Sequence, residues 1–243
     1  MLKRLFAILA LTLGTSAPVW ADPYGGFQQF ADQGSLKPFT RDMGGMLGSA
    51  TFHGGRSLGF SGFDVGGRFG LQFSPAKDDR ILRNKGVRTF ALPWAQAEVG
   101  MPFRLDGFVR GISYEGLTVV GGGLRFGVLP VSDARWAPQM LVSAVGHAVV
   151  HQYFSINHQG GSLVFSMGIP QFTPYVGAGV DRTVMVVRSS LADPTVNGMQ
   201  VQTVESRFSA GMQLRPWQFI YMNVAYALLH GRSGLEGGLG LRF

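Results

Sequence analysis

The sequence predicts an all-β chain: an antiparallel transmembrane β-barrel of about ten strands, with eight to twelve compatible with the pattern, after a short N-terminal helical or plug segment. Three observations predict it. Charged residues make up 14% of the chain, against roughly 25% in a water-soluble domain, while hydrophobic residues reach 46% and there are 36 Gly. From Phe63 onward apolar residues recur at every second position, the period of a strand with one apolar face. After the first twenty residues, no apolar run approaches the roughly 18 residues a spanning helix needs.

In chain order, Lys3 and Arg4 precede an apolar run over 5–14, and Val19 and Ala21 flank Trp20 in a small-x-small pattern. This is the form of a secretory signal, with residues 1–21 removed by cleavage near Ala21. The chain has no Cys, which excludes a disulfide framework, thiolate metal sites and Cys nucleophiles. Its +7 charge is mostly Arg and scattered, so nucleic acid is not an expected partner of an exported chain.

Residues 22–62 do not alternate. One helical stretch is expected over 26–33, with Phe27 and Phe30 on one side. A second is expected after Pro38, with Phe39, Met43, Met46 and Leu47 at helical spacing, followed by Gly- and Ser-rich sequence over 48–62. Two apolar helical faces need cover. The segment is therefore expected to plug the barrel or cap its periplasmic mouth, with Phe27, Phe30, Phe39, Met43 and Leu47 as plug candidates.

The barrel proper is expected over 63–243, with strands at 63–73, 92–101, 106–114, 117–129, 139–152, 160–168, 174–187, 201–214, 218–229 and 235–243. Most exceed the five or six residues of an ordinary strand and suit the roughly 9–11 a tilted strand needs to cross a bilayer. Because every backbone polar group in hydrocarbon needs an internal partner, such strands must close on themselves. The long connections, 74–91 and 188–200, are expected outside, and short turns such as 101–105 and 170–173 on the periplasmic side. The connection around Trp136 is long for such a turn. A soluble sandwich or lipocalin-like barrel would need charged outer faces, whereas the polar faces here are mostly Gly, Ser and Gln.

With apolar faces turned to lipid, the alternation assigns Asp64, Arg68, Glu98, Asp106, Arg110, Arg125, Asp181, Glu205, Arg207, Glu236 and Arg242 to the lumen. That set is nearly neutral, whereas selective pores carry rings of one sign. Such charges should pair, Glu98 with Arg68 or Arg110 and Asp64 with Arg242 across the closing seam. A ten-stranded barrel is only slightly wider than the eight-stranded kind that side chains fill. The lumen is therefore expected to be largely occluded. His147 and His151 lie about 13 Å apart along one strand face, too far to share a metal. His151 or His158 with Ser155 or Ser162, and Asp181 as orienter, form no motif, so no catalytic residue, cofactor or metal is assigned. Arg80, Arg83, Lys85 and Arg88 make a basic first loop suited to phosphates. The glycines at 121–123 are expected to let the plug approach the wall or to mark a bend.

The last residues, Glu236, Gly238, Leu241 and the terminal Phe243, resemble the final-strand signal of bacterial outer-membrane barrel proteins. Segments 56–65 (RSLGFSGFDV) and 230–234 (HGRSG) are similar to those of an uncharacterised group of predicted outer-membrane barrels. The resemblance implies a bacterial outer-membrane location. It implies outer-membrane lipid and lipopolysaccharide as surroundings, and a barrel assembly machinery that reads the C-terminal residues. The N-terminal segment would then be comparable to the hatch of long-chain hydrocarbon transporters. The function class expected is a non-enzymatic barrel that carries or gates a small ligand, apolar ones included. A structural or surface-interaction barrel and a lipid-modifying enzyme are the alternatives.

Overall fold

Ten antiparallel strands close on themselves: β1 (Phe63–Gln72), β2 (Phe90–Gly100), β3 (Leu105–Tyr114), β4 (Leu117–Gly127), β5 (Ala137–Val150), β6 (Phe154–Gly168), β7 (Phe172–Val187), β8 (Gln200–Leu214), β9 (Ile220–Leu229) and β10 (Arg232–Arg242). The computed structural model describes residues 23–132, 134–169 and 171–243. The expected signal segment lies outside these residues. Each strand pairs with its sequence neighbour, and β1 pairs with β10 from Asp64↔Arg242 to Gln72↔Gly234. The backbones of Phe63 and Phe243 exchange two hydrogen bonds at the end of that seam, so no sheet edge is left open.

Alternation fixes which way each side chain points. Val109, Val120, Val180, Val204 and Leu239 are all more than half exposed on the outer face, while Asp64, Arg68, Gln72, Tyr221 and Asn223 are buried inside. At the rim that holds Phe243, exposed Phe63, Phe103, Phe126, Trp136, Phe172, Trp217 and Phe219 make an outward aromatic ring. The connections at this terminal rim are 101–104, 128–136, 169–171 and 215–219. Those at the far rim are 73–89, 115–116, 151–153, 188–199 and 230–231. The long pair lies at the far rim as expected, but two of its companions are two-residue hairpins. Glu115–Gly116 and His230–Gly231 both hold positive φ at both central positions, the mirror-image turn that suits strand twist.

Strand 6 begins at Phe154, not at 160. The stretch from Asn157 to Gly161 contains no apolar residue, so the alternation vanishes there although the ladder does not.

Residues 23–62 run inside the barrel from the far rim to the terminal rim. Helix α1 (Phe27–Phe30) is a single turn, shorter than expected, and α2 (Gln33–Gly48) starts five residues before Pro38. The cause is a capping box. Asp32 accepts from the Ser35 backbone N–H at 2.9 Å, and Ser35 Oγ accepts from the Asp32 backbone N–H at 3.0 Å. Asp32 thereby ends one helix and opens the next, leaving Pro38 inside. Helix α2 packs closest to β7, β8 and β9 through a face of small residues. A Cβ on Gly44 would stand 2.4 Å from Thr183 Oγ1, and one on Gly48 2.5 Å from Asp181 Oδ2. The chain then passes Phe52, seated on Gly177, and Leu58, beside Asp106, before entering β1.

Both long far-rim connections fold back over this segment. In 73–89, a short helix α3 (Arg80–Asn84) inserts Ile81 and Leu82. In 188–199, the Leu191 and Ala192 backbone N–H groups donate to Gln28 O, and Ser190 Oγ donates to Ala31 O at 2.8 Å.

Candidate functional site

The lumen is divided along its length. Its far half is apolar: Phe27, Phe39 and Met43 of the inner segment pack against Leu92, Trp94, Val119, Phe154, Ile156, Met185 and Leu229 of the wall. Rings of Phe27, Phe39 and Phe154 stand 4.9–5.3 Å apart. Of the expected plug residues, Phe27, Phe39, Met43 and Leu47 are fully buried here, and Phe30 packs at the margin. The premise that inward positions are small or hydrophilic therefore fails in this half. These wall residues face inward yet are aliphatic or aromatic, because the inner segment, not water, occupies the space beside them.

The terminal half is built from ions. Glu98 Oε1 accepts from Arg68 Nη2 at 2.8 Å and from Gln96 Nε2 at 2.6 Å, while Oε2 accepts from Arg125 Nη1 at 2.5 Å. Asp64 accepts from Tyr221 Oη at 2.6 Å and from Arg242 Nε at 3.2 Å, across the closing seam. Asp181 accepts from Arg207 Nε at 3.1 Å, lies 3.1 Å from His230 Nε2, and is 3.7 Å from His158 Nε2. Asp106 receives the Leu58 backbone N–H at 3.0 Å on each oxygen, and Glu236 receives Ser209 Oγ at 3.1 Å. Glu205 shares the inward face of β8 with Thr203 and Arg207 but is half-buried, and it forms no ion pair among the described residues.

Arg110 is used differently from the cross-strand pairing with Glu98. It donates from Nη2 to Leu47 O, from Nη1 to Ser49 O at 2.9 Å and from Nε to His147 Nε2 at 2.7 Å. Its guanidinium lies 4.1 Å from the Trp94 ring centre. Arg125 likewise donates to Thr51 O. Arg110 meets the carbonyl end of α2, where unpaired carbonyls and the helix dipole favour cations, and Arg125 holds the chain just beyond its C-cap, Ser49. Their partners were missed because backbone acceptors leave no trace in a charge count. Tyr221, His147 and Ser143 carry the inward parity of their strands, and that parity was the available signal.

The glycines at 121–123 make room for neighbouring wall side chains, not for the inner segment. A Cβ on Gly121 would meet the His147 ring and one on Gly123 the Phe108 ring. The residues weighed for hydrolysis are engaged elsewhere: His158 Nδ1 meets Thr183 Oγ1 at 3.0 Å, Ser162 Oγ meets Ser143 Oγ at 2.6 Å, and the His151 ring stacks on Phe154 at 4.7 Å. His158 lies in the lumen, fully buried within β6. Ser155 is half-buried at the far end of that strand. Among the described residues no group of three or more acidic or His side chains could hold a metal. On β10, Glu236 points inward, Gly238 sits opposite Arg68, and Leu241 and Phe243 are exposed outside. In the far-rim loop Arg80 pairs with Asp32 at 2.8 Å, while Arg83 and Arg88 are exposed and Lys85 is half-buried.

At the terminal rim the inner segment leaves a vestibule of about 200 Å³, lined by Arg56, Arg215, Arg242, Gln139, Gln171 and Gln213 among others.

No family model matches the chain, and no curated protein matches it. Among solved structures it is similar to the N-terminal β-barrel domain of Pseudomonas aeruginosa OprF, at 13% identity over 76% of this chain and 99% of that one, with a TM-score of 0.36. It is similar to Ail, the attachment invasion locus protein of Yersinia pestis, at 13% identity over 76% and 99%, with a TM-score of 0.27. It is also similar to the Neisserial surface protein A, at 9% identity over 74% and 95%, with a TM-score of 0.30.

Proposed function

We propose that the chain is a bacterial outer-membrane β-barrel, non-enzymatic, whose bore is plugged by its own N-terminal segment, with the terminal rim facing the periplasm. The apolar outer face, the aromatic ring at one rim, the even strand number and the closed seam support a membrane-spanning barrel. The observation that carries the plug is the capture of the Leu47, Ser49 and Thr51 carbonyls by Arg110 and Arg125. These bonds cross the bore, and their donors are charged and buried, so their loss would leave guanidinium groups unpaired in the interior.

The exposed Arg83 and Arg88 at the far rim suit contact with the phosphates of lipopolysaccharide. The exposed Leu241 and Phe243 suit reading by an assembly machinery. Carriage or gating of a small ligand would require the plug to move. The folding of both long connections onto that plug favours the second reading, a structural or surface-interaction barrel. Planar-bilayer recording tests the proposal: the purified chain should insert without stable openings, and nanosiemens steps from the unaltered protein would reject a plugged bore.

A further inference from the structure

The vestibule at the terminal rim holds a guanidinium that is unpaired among the described residues. Several other arginines have acidic partners or backbone carbonyls: Arg41 with Asp78 at 2.9 Å, Arg80 with Asp32, Arg207 with Asp181, and Arg110 with Leu47 and Ser49. Arg215, one residue past the end of β8, is partly buried, and its guanidinium makes no hydrogen bond or ion pair among the described residues. Burial, with Arg242 and Arg56 nearby, pushes its pKa down to about 10, which leaves it a cation at neutral pH.

The other walls supply donors. Arg242 spends Nε on Asp64 and Nη2 on His53 Nε2 at 2.6 Å. Because a guanidinium only donates, His53 Nε2 accepts, so the imidazole carries its N–H on Nδ1, and that atom has no acceptor among the described residues. Gln213 Nε2 also lacks one. The described lining holds three arginines and three glutamines and no Asp or Glu.

We propose that this vestibule binds a small oxyanion, a phosphate or carboxylate group, through Arg215 and Arg242, with the glutamine amides as neutral partners. A guanidinium fork matches the planar oxygens of either group. The volume suits an ion or the head of a small metabolite rather than a chain. The oxyanion would be free in the aqueous phase or carried on a lipid headgroup.

Isothermal titration in a neutral detergent, with sodium phosphate and with citrate as probes, tests the site without depending on membrane orientation. Saturable binding that weakens with added salt is expected. It should fall roughly tenfold or more in Arg215→Gln, as loss of one charged hydrogen-bonding partner implies. Lys37→Gln, an exposed cation of α2 remote from the vestibule, should leave it unchanged. Arg215→Lys, which keeps the charge and loses the fork, should fall between the two and serves if the glutamine variant does not fold. A second arm uses nanodiscs of phosphatidylcholine with and without phosphatidylglycerol. Equal phosphate binding in both assigns the site to a free anion, and competition by phosphatidylglycerol assigns it to a headgroup. Absence of saturable binding in every arm, or binding indifferent to both Arg215 variants, would overturn the proposal.

Discussion

The two halves of the lumen hold the same inner segment by different forces. In the far half Phe27, Phe39 and Met43 meet an apolar wall, and the contact is non-directional: its strength scales with buried area, and a modest shift along the axis costs little. In the terminal half most contacts are bonds with a fixed geometry, such as Arg110 on two carbonyls or Asp106 on the Leu58 N–H, with Phe52 against Val164, Tyr175 and Ala225 as an apolar exception. One strand serves both: β5 offers Val149 to the first half and Ser143 and His147 to the second. Apolar packing supplies adhesion and the ions supply register. An inward-facing position is therefore not polar by virtue of facing inward; its chemistry follows whatever fills the space beside it.

The comparison breaks most readily at Glu98, which neutralises both Arg68 and Arg125. Glu98→Ala leaves the buried Arg125 guanidinium without a carboxylate and Arg68 with only Asp64, at 3.5 Å. Removing one partner of a buried pair typically costs about 3–5 kcal/mol. The expected result is a lower urea midpoint for the detergent-folded barrel, larger than that of any single truncation among the surface pairs, which are worth about 1 kcal/mol or less. A midpoint shift no greater than that of Arg80→Ala would show that the ion network does not set register.

Much of this architecture is legible from parity alone. Every strand is present, the seam pair of Asp64 and Arg242 forms, and Arg68 meets Glu98. Strand periodicity survives because the outer face of the sheet is apolar along every strand. What parity cannot reveal is the identity of an inward residue's partner. Arg110 was matched with Glu98 by charge, but its partners are backbone carbonyls, and every residue has one of those. The apolar far half was invisible for a related reason: where both faces of β5 are apolar, as at Val149 and Val150, nothing marks which one meets lipid. The start of α2 was readable in principle from Asp32 and Ser35, but Pro38 drew the boundary too late.

A smaller effect sharpens the comparison at the boundary between the halves, where Gly48 lets α2 lie against Asp181 and Arg207. Gly48→Val would overfill this contact, at a cost of typically about 1–3 kcal/mol. The barrel itself should still close, since its strand ladder is untouched, but the inner segment should ride away from β7. Brief channel openings and faster proteolysis within 49–62 are the expected readouts. If the variant records as silently as the parent, the apolar half alone is enough to seat the segment.

The narrowest effect concerns the far rim, where the loop 73–89 is clasped to α2. Asp42 Oδ2 accepts from the Ala76 N–H at 2.6 Å, and Asp79 Oδ1 accepts from the Leu82 N–H at 3.0 Å. The two buried carboxyls neighbour each other, and burial followed by the Asp42 charge pushes Asp79 up to about 8, with Arg41 opposing the rise at Asp42. The clasped state thus prefers Asp79 protonated. A raised carboxyl stabilises fully below its ordinary value near 3.8, and the benefit is lost as pH rises through about 8. Hydrogen exchange over 73–89 should therefore quicken, beyond the intrinsic rate increase, between about pH 4 and about pH 8, while exchange in β1 and β10 follows the intrinsic rate. Asp79→Asn keeps the helix cap and supplies a neutral donor at any pH, so its loop should follow the intrinsic rate throughout. An excess rise retained in that variant would place the pH sensitivity elsewhere in the far-rim contacts.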